Sequence, residues 1–230
     1  MLNQKLYNKL KIMNASIVFA KISSTSDYID NKLLSLVSNE RQERVKKFRF
    51  DIDRKLCLYS ELLVRYQACR ELGIPNEKII FERNKNGKPF LLSYPEFQFN
   101  ISHTRNAIAV AISNSEIGVD IESIKPNDLA IANRFFTLSE QDYITSHDNP
   151  DYAFYEVWTK KEAYIKYIGT GLSTPLNSFD VLDNQIKSMF QTFATKTYII
   201  STCCNDFFDI GYAFTTMKEN ELQLLFSKIT

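Results

Sequence analysis

The segment EIGVDIESIKP, residues 116–126, carries two carboxylates that would share one face of a β-strand. Val119 and Ile121 alternate with Asp120 and Glu122, and side chains two residues apart on a strand point to the same side. The two acids would lie about 7 Å apart and repel each other. Paired carboxylate oxygens suit Mg²⁺, which takes one or two of them and leaves other positions for phosphate and water. The pattern alone fits both a magnesium site and a solvated acidic strand face.

Gly118 lies on the same strand face as the two acids. Glycine has no Cβ and so lets another group come close to the backbone. We expect a ligand to make that close approach, which favours the magnesium site over the solvated face.

A third acid lies in FYEVWTKKEAYIKYIGTGLS, residues 154–173, whose apolar residues recur at helical spacing. Glu162 and Lys166 are four residues apart, so they are neighbours on one helix face. An isolated pair of this kind is usually a surface ion pair worth roughly a few tenths of a kcal/mol. Here Trp158 anchors the helix and a Gly-Thr-Gly sequence ends it. These features would fix one acid and one base in space.

Several polar residues end a predicted strand in FNISHTRNAIAVAI, residues 99–112. A lone histidine such as His103 is more often a structural hydrogen bonder than a functional group, but beside Asn, Ser, Thr and Arg it suits a phosphate. Basic residues are also dense in NERQERVKKFRF, residues 39–50, and Lys88 lies on the turn NKNGKP. By default both are solvated, and nucleic-acid binding is the weaker alternative for the basic run.

The composition limits the class of protein. A chain of 230 residues with 13% aromatic residues can bury a sizeable core. The formal net charge of +1 argues against bulk attraction to nucleic acid or to an anionic membrane, so an anion site must be built locally. Four cysteines without a CxxC pair, and only two histidines, argue against a zinc cluster. We expect reduced thiols and a cytoplasmic location, and no stretch is apolar enough to span a membrane.

Helices precede strands twice along the chain, which predicts an α+β fold with two similar halves rather than a parallel βαβ array. We predict strands at 16–22, 78–83, 97–103, 108–113, 118–122, 179–182, 188–195, 197–204 and 207–215, and helices at 26–38, 53–73, 128–135, 139–147 and 152–168. The expected division is a loose extension at 1–13, a first half at 14–116 and a second half at 117–230. Met13 is an alternative start.

GVDIE, residues 118–122, and WTKKEAYIK, residues 158–166, together resemble the signature pair of the Sfp-type 4′-phosphopantetheinyl transferases. That family has G-[IV]-D-[IV]-E followed by W-[ST]-x-K-E-[AS]-x-x-K. Every fixed position is filled, by Gly118, Asp120, Glu122, Trp158, Thr159, Lys161, Glu162, Ala163 and Lys166. FNISH, NGKP and the segments that flank the helix also resemble family elements. The resemblance runs from about residue 14 to about residue 215.

The resemblance implies an enzyme that transfers 4′-phosphopantetheine from coenzyme A to a serine of an apo acyl or peptidyl carrier protein. Adenosine 3′,5′-bisphosphate would be released. It also implies dependence on Mg²⁺, for which Mn²⁺ can substitute, and coenzyme A bound in a cleft between two pseudo-symmetric halves. We expect no nucleic acid or membrane partner, and a monomer, because a duplicated chain supplies both walls of the cleft. A Mg²⁺-dependent hydrolase of a phosphate ester or nucleotide is the alternative.

The resemblance also implies roles for individual residues. The metal ligands would be Asp120, Glu122 and Glu162, and Glu162 would accept the proton of the carrier serine, directly or through a water. Lys166 would offset charge on the phosphates, and His103 completes the catalytic set with Glu162, Lys166 and Asp120. The coenzyme contacts would be Arg41, Arg44, Lys88, Ser102, His103 and Lys166, with His103 and Ser102 at the 3′-phosphate and Lys88 over the nucleotide end. The carrier would bind around residues 169–200.

Overall fold

The computed structural model describes residues 15–23, 31–126, 129–205 and 212–229. The predicted extension at 1–13 lies outside these ranges, as do residues 26–30 of the first predicted helix. Within these ranges, no helix combines the length and the apolar character that crossing a membrane requires.

The described residues form nine strands and seven α-helices, and the fold is α+β. The strands are β1 (Ala15–Lys21), β2 (Phe81–Arg83), β3 (Pro89–Leu91), β4 (Gln98–Thr104), β5 (Ala107–Ser113), β6 (Gly118–Ser123), β7 (Phe190–Ala194), β8 (Tyr198–Cys203) and β9 (Tyr212–Lys218). The helices are α1 (Asn31–Ser35), α2 (Asn39–Lys47), α3 (Asp51–Leu72), α4 (Leu129–Phe135), α5 (Leu138–Ser146), α6 (Pro150–Ile168) and α7 (Glu219–Phe226).

The first sheet has the strand order β4-β5-β1-β9. Its pairs are antiparallel except that β9 runs parallel to β1, with Ala15 opposite Tyr212 and Lys21 opposite Lys218. The sheet therefore combines strands from both sides of the boundary that we predicted at 116/117. The division into two halves stays a prediction, and the first sheet includes one strand, β9, from the predicted second half.

The sequence of β5 shows how the layers are built, because large and small residues alternate along a strand that is buried on both faces. Ile108, Val110 and Ile112 pack against α3 in one core cluster. The intervening Ala107, Ala109 and Ala111 face the second sheet in another cluster. Alternate side chains point to opposite faces, so the small residues let the two sheets approach each other.

The second sheet has the order β6-β8-β7, and all its pairs are antiparallel. Val119 and Ile121 face the first sheet, while Phe190 and Cys203 lie on the opposite side, in the cluster built with α6. The layers are therefore α3, the first sheet, the second sheet and α6.

The two long helices end in the same way. Gly73 caps α3 and Gly169 caps α6, each with φ of 67°. An L-residue with a side chain rarely adopts this left-handed conformation, which explains glycine at both positions. The predicted ends of these helices are confirmed.

One predicted strand is wrong, and α2, β3 and α7 were not among the predicted elements. Residues 179–182 were expected to form a strand but form a turn, in which the Asp180 side chain accepts a hydrogen bond of 2.8 Å from the backbone N–H of Leu182. Such local side-chain bonds compete with strand pairing. Helix α7 was not predicted at all; it packs Leu222 and Phe226 into the core beside α3.

Candidate active site

The site begins with the close packing of α6 on β6. A Cβ at Gly118 would overlap the carbonyl oxygen of Ala163 and lie 2.6 Å from the backbone nitrogen of Tyr167. The expectation that a ligand approaches Gly118 is therefore wrong, because the helix backbone occupies that space. Glycine here brings Glu162 and Lys166 of the helix over the acidic face of the strand.

Strands β4 and β6 are the edge strands of the two sheets, and their side chains join them. The side-chain oxygen of Asn100 accepts a hydrogen bond of 3.0 Å from the N–H of Val119. The Ser102 hydroxyl donates to Asp120 at 2.8 Å, and the Thr104 hydroxyl donates to Glu122 at 3.0 Å. Alternate residues of β4 thus fix Val119, Asp120 and Glu122 of β6.

Asp120 is the most enclosed of the three motif acids, at 5% exposure. Its Oδ1 accepts from the Ser102 hydroxyl and lies 2.7 Å from the ammonium of Lys166. Lys166 also donates to the Ser102 hydroxyl at 3.0 Å and to the Val119 carbonyl oxygen at 3.1 Å. The second oxygen of Asp120, Oδ2, is buried without a hydrogen-bond partner. A buried carboxylate oxygen in this state can accept a cation or a donor from a ligand.

Glu122 and Glu162 are both half-buried, and their environments make ionisation unfavourable. Burial, and next the charge of Asp120, raise the pKa of Glu122 above its ordinary value. Burial and Asp120 raise the pKa of Glu162 in the same way, with Lys166 acting in the opposite direction. The structure therefore brings the two glutamates and Lys166 within electrostatic reach of Asp120.

Asp120, Glu122 and Glu162 are the residues that would hold the divalent cation implied by the family resemblance. In the described ranges, no three His, Cys, Asp or Glu side chains are already arranged around one metal position, and Asp120 is paired with Lys166 instead. The chemistry of the donors nevertheless fits, because all three groups offer the hard oxygens that Mg²⁺ takes. A bound cation would give the unpartnered Oδ2 of Asp120 a partner. It would also favour the ionised forms of Glu122 and Glu162, whose pKa values are otherwise raised.

A basic pocket of about 200 Å³ lies on the other side of β4, against α3. Its polar lining is Arg41, Arg44, Arg83 and His103, with Asp53 and Ser60. His103 is exposed at the surface of this pocket. Partial desolvation, followed by the charges of Lys166 and Arg44, lowers the pKa of His103. An added anion would reverse the electrostatic part of that shift.

The predicted coenzyme residues do not all lie in this pocket. Ser102 and His103 are adjacent on a strand and point to opposite sides, so the Ser102 hydroxyl contacts Asp120 while His103 lines the pocket. Lys88 is absent from the described lining; its ammonium lies 2.6 Å from Glu116, and its aliphatic part lies near Gly169.

The two predicted arginines differ in availability. Arg41 donates to Glu61 at 2.9 Å and to the carbonyl oxygen of Cys57 at 3.4 Å, so its guanidinium is engaged within the fold. Arg44 is exposed, and no hydrogen bond or ion pair of its side chain is found in the ranges given above.

Arg83 is a pocket residue that the sequence analysis did not single out. It lies at the end of β2, donates to the Gly87 carbonyl oxygen at 3.0 Å and pairs at 3.3 Å with exposed Glu40. The available signal was an arginine that ends a short strand directly before the turn with Lys88.

Comparison with known proteins agrees with the motifs. Residues 116–215 match the family model of the 4′-phosphopantetheinyl transferase superfamily, and residues 24–115 match the model of a 4′-phosphopantetheinyl transferase N-terminal region. The chain is 34% identical to the 4′-phosphopantetheinyl transferase gsp of Aneurinibacillus migulanus over 225 residues, which is 91% of this chain and 94% of that protein.

Two further relatives match over shorter stretches. The 4′-phosphopantetheinyl transferase psf-1 of Bacillus pumilus is 40% identical over 150 residues, and this match spans only 64% of each chain. The 4′-phosphopantetheinyl transferase Sfp of Bacillus subtilis strain 168 is 35% identical over 154 residues, which is 66% of this chain and 69% of that protein. Since the match to gsp is nearly full length and both motifs are complete, the chain belongs to the Sfp-type 4′-phosphopantetheinyl transferase family.

Proposed function

We propose that this protein transfers 4′-phosphopantetheine from coenzyme A to a serine of an apo acyl or peptidyl carrier protein. The observation that carries the proposal is the cluster of Asp120, Glu122, Glu162 and Lys166 on the shared face of β6 and α6. A basic pocket suited to a phosphate lies on the other side of β4. Such a cluster and pocket fit phosphoryl transfer, in which positioning and charge stabilisation do most of the work.

The residues that would hold Mg²⁺, or Mn²⁺ in its place, are Asp120, Glu122 and Glu162. When bound, the cation supplies positive charge beside the diphosphate of coenzyme A. The unpartnered Oδ2 of Asp120 supports this assignment, because a buried acceptor oxygen is otherwise costly.

Glu162 accepts the proton of the carrier serine in this proposal. Glu162 lies on the same α6 face as Lys166, directly over β6, so a carboxylate that can take a proton lies beside an ammonium that can stabilise negative charge. The serine oxygen bonds to the phosphorus that carries the pantetheine arm. The bond from that phosphorus to the bridging oxygen breaks, and adenosine 3′,5′-bisphosphate leaves.

Lys166 lies one helical turn from Glu162 and already donates to two oxygens of the site, those of Asp120 and Ser102. We assign it the stabilisation of negative charge that grows on the leaving group. An ammonium that is held in place by the fold needs little reorganisation for this role.

The nucleotide end of coenzyme A would lie in the basic pocket. Arg44, Arg83 and His103 would meet the 3′-phosphate; this is supported by their position in one pocket and by the engagement of Arg41 with Glu61. Arginine suits this task because its planar fork donates two hydrogen bonds at once. Lys88, which is held by Glu116, would lie beside this pocket rather than in it.

The wider setting of the reaction is also proposed. Two face-to-face sheets, each covered by one long helix, support a pseudo-symmetric pair of halves with the substrates between them. A single chain would then supply both walls and act as a monomer, without nucleic acid or membrane. The described cysteines form no disulfides with one another, which fits the proposed reducing compartment, the cytoplasm.

The direct test is incubation of the protein with coenzyme A, MgCl₂ and an apo carrier protein, followed by mass spectrometry of the carrier. We expect a mass increase of one phosphopantetheine, and Glu162→Ala should lower the rate by about a thousandfold. Glu156→Gln is the matched control on the same helix; Glu156 pairs with Lys160 and should be dispensable. Release of free phosphate without modification of the carrier would favour the hydrolase instead.

A further inference from the structure

The three acids of the candidate active site are held in different ways. Asp120 is 5% exposed, and its Oδ1 is bound by the Ser102 hydroxyl and by Lys166. Glu162 lies on the long helix α6, whose backbone packs directly on β6. Glu122 is half-buried near the end of β6 and has a long, rotatable side chain. Ordering such a side chain costs conformational entropy, so Glu122 needs a partner to stay in one position.

The hydroxyl of Thr104 is the partner that the structure provides. It donates to Oε2 of Glu122 at 3.0 Å, and no other hydrogen bond or ion pair of this carboxylate is found in the described part of the chain. The bond engages one carboxylate oxygen and leaves Oε1 for a further partner. A hydroxyl donor is neutral, so it orients the carboxylate without cancelling the negative charge that attracts a divalent cation.

Thr104 is itself held firmly. It ends β4, where it lies opposite Ala107 in the antiparallel ladder with β5. The carbonyl oxygen of Asn106 accepts from the N–H of Ile22 at 2.7 Å, and the Asn106 side chain accepts from the Tyr198 hydroxyl at 2.6 Å. Because a β-branched side chain has few rotamers, the Thr104 hydroxyl then has a defined direction.

These contacts form a closed ring across the two sheets. Tyr198 lies on β8 opposite Ser123, the residue directly after Glu122. The ring runs from this pair through the Tyr198–Asn106 bond and the β4–β5 turn, and returns by the Thr104–Glu122 bond. The Glu122 carboxylate therefore cannot leave its position without breaking its bond to Thr104.

A purely structural role is the alternative, in which Thr104 only joins β4 to β6. Asn100 already has this role, because its side-chain oxygen accepts from the backbone N–H of Val119 at 3.0 Å. Ser102 adds a second link between the strands. Thr104 instead bonds to a side chain that the backbone ladder of β6 does not fix. Its main effect should therefore be on the Glu122 carboxylate rather than on the packing of the sheets.

We propose that Thr104 is a positioning residue that holds the Glu122 carboxylate in the orientation that a divalent cation requires. This inference rests on the proposed function, in which Asp120, Glu122 and Glu162 hold Mg²⁺. Loss of a hydrogen bond to a metal-binding side chain typically lowers metal affinity or activity about 10- to 100-fold. Mg²⁺ is sensitive to such a loss, because it requires a nearly ideal octahedral arrangement of ligands.

The test replaces Thr104 by residues of similar size. Thr104→Val keeps the branched shape and removes the hydroxyl, whereas Thr104→Ser keeps the hydroxyl. Thr215→Val is the matched control, since Thr215 is an exposed threonine on β9 of the same sheet. MnCl₂ is titrated into each protein at saturating coenzyme A and without a carrier, so that no transfer takes place. Electron paramagnetic resonance measures the free Mn²⁺, and a titration of coenzyme A alone is subtracted.

Thr104→Val should raise the Kd for Mn²⁺ about tenfold or more, whereas Thr104→Ser should stay within about twofold of wild type. Thr215→Val should leave the Kd unchanged. With an apo carrier present, Thr104→Val should raise the apparent KM for Mg²⁺ by a similar factor, while kcat at saturating Mg²⁺ and the KM for coenzyme A change little. A merely structural role would lower the free energy of unfolding without changing the metal affinity of the folded protein.

A double-mutant cycle shows whether Thr104 acts through Glu122. Glu122→Gln should weaken Mn²⁺ binding at least as much as Thr104→Val, and adding Thr104→Val to it should have little further effect. Fully additive losses would contradict the proposed pathway.

Three further results would overturn the proposal: an unchanged Kd for Mn²⁺ in Thr104→Val, an equal loss in Thr215→Val, or an equal loss in Thr104→Ser. A Thr104→Val protein that does not fold would also contradict it, because the hydroxyl would then be needed for the fold. The proposed function fails separately, if wild type binds Mn²⁺ but transfers no phosphopantetheine to the carrier. If wild type transfers phosphopantetheine and Thr104→Val binds Mn²⁺ as wild type does, only the positioning role fails.

Discussion

Helix α6 carries two lysine–carboxylate pairs that differ in how completely they are satisfied. Lys161 and Glu140 are both fully buried and 2.8 Å apart, and Lys161 also donates to the carbonyl oxygens of Leu176 and Phe179 at 2.7 Å each. Lys166 and Asp120 are 2.7 Å apart, but the Lys166 side chain is 28% exposed and one oxygen of Asp120 has no partner. We call the first pair closed, because it is fully buried and partnered within the fold, and the second open, because one oxygen of Asp120 can still bind a ligand.

The comparison separates structural from functional positions within one motif. Glu140 accepts from the N–H groups of Thr137 and Val181 at 2.8 and 2.9 Å, so the closed pair ties α5, α6 and the segment after α6 together. Nothing in the spacing of WTKKEAYIK distinguishes Lys161 from Lys166. Their roles are visible only from the number of partners that each one meets.

The largest expected effect is on stability, in Lys161→Met. Removing one partner of a buried pair leaves an uncompensated charge, so the free energy of unfolding should fall by about 3–5 kcal/mol. Urea denaturation measures the loss. Lys161→Met combined with Glu140→Leu should recover most of it, because an apolar replacement of both partners removes the unpaired charge. Lys160→Met is the control. An equal loss of unfolding free energy in that variant would contradict a special structural role for the Lys161–Glu140 pair.

The open pair should respond in activity rather than in stability. Lys166→Met should lower kcat for phosphopantetheine transfer about a hundredfold, since loss of one preorganised donor typically costs about that much. The free energy of unfolding should fall less than in Lys161→Met, because Asp120 keeps the Ser102 hydroxyl and the Lys166 side chain is 28% exposed, whereas that of Lys161 is fully buried. A variant that unfolds as readily as Lys161→Met, or one with wild-type kcat, would show that the two pairs are alike.

The smallest expected effect is on the pH dependence of the free energy of unfolding, for which Glu61 of α3 is compared with Glu122 and Glu162 of the site. Burial alone would raise the pKa of Glu61 in α3, but the Ser38 N–H, Arg65 and Arg41 outweigh it and lower the pKa. Its stabilising contribution is present above the pKa of an unfolded glutamate, about 4.3, and is lost as the pH falls through the lower folded value.

The opposite sign holds at the site. Burial and Asp120 raise the pKa of Glu122 and of Glu162, so their contribution to stability is lost as the pH rises through the raised values.

The Glu61 contribution is lost as the pH falls below about 4.3, and Glu61→Gln removes it. The free energy of unfolding, measured with urea between pH 2 and about pH 4.3, should therefore depend less steeply on pH in Glu61→Gln than in wild type. Exposed Glu77→Gln should leave the slope unchanged, and an unchanged slope in Glu61→Gln would contradict the assignment.

Local patterns predicted most of the elements and part of the site. Period-two alternation placed Asp120 and Glu122 on one strand face, and helical spacing placed Glu162 beside Lys166. The same alternation in β4 places Ser102 and Thr104 on the face opposite His103, so these three side chains could not all have been expected at one phosphate. What local patterns could not supply was the neighbour across space, such as Ala163 over Gly118.

The remaining errors have physical causes of the same kind. The pocket role of Arg83 depends on how β2 lies against α2, and the turn at 179–182 depends on Lys161 taking the Phe179 carbonyl oxygen. Helix α7 has only eight residues, so its stability comes from packing rather than from a long periodic pattern.

The parallel pairing of β9 with β1 has a consequence for synthesis. The strand β1 is synthesised early, whereas its partner strand at Tyr212–Lys218 follows all the other described strands. Until then β1 presents an open edge, which is prone to pair with other chains. The nascent first half therefore cannot complete its sheet before the second half has been made, and a fragment that stops before residue 212 would keep this edge open and be prone to aggregate.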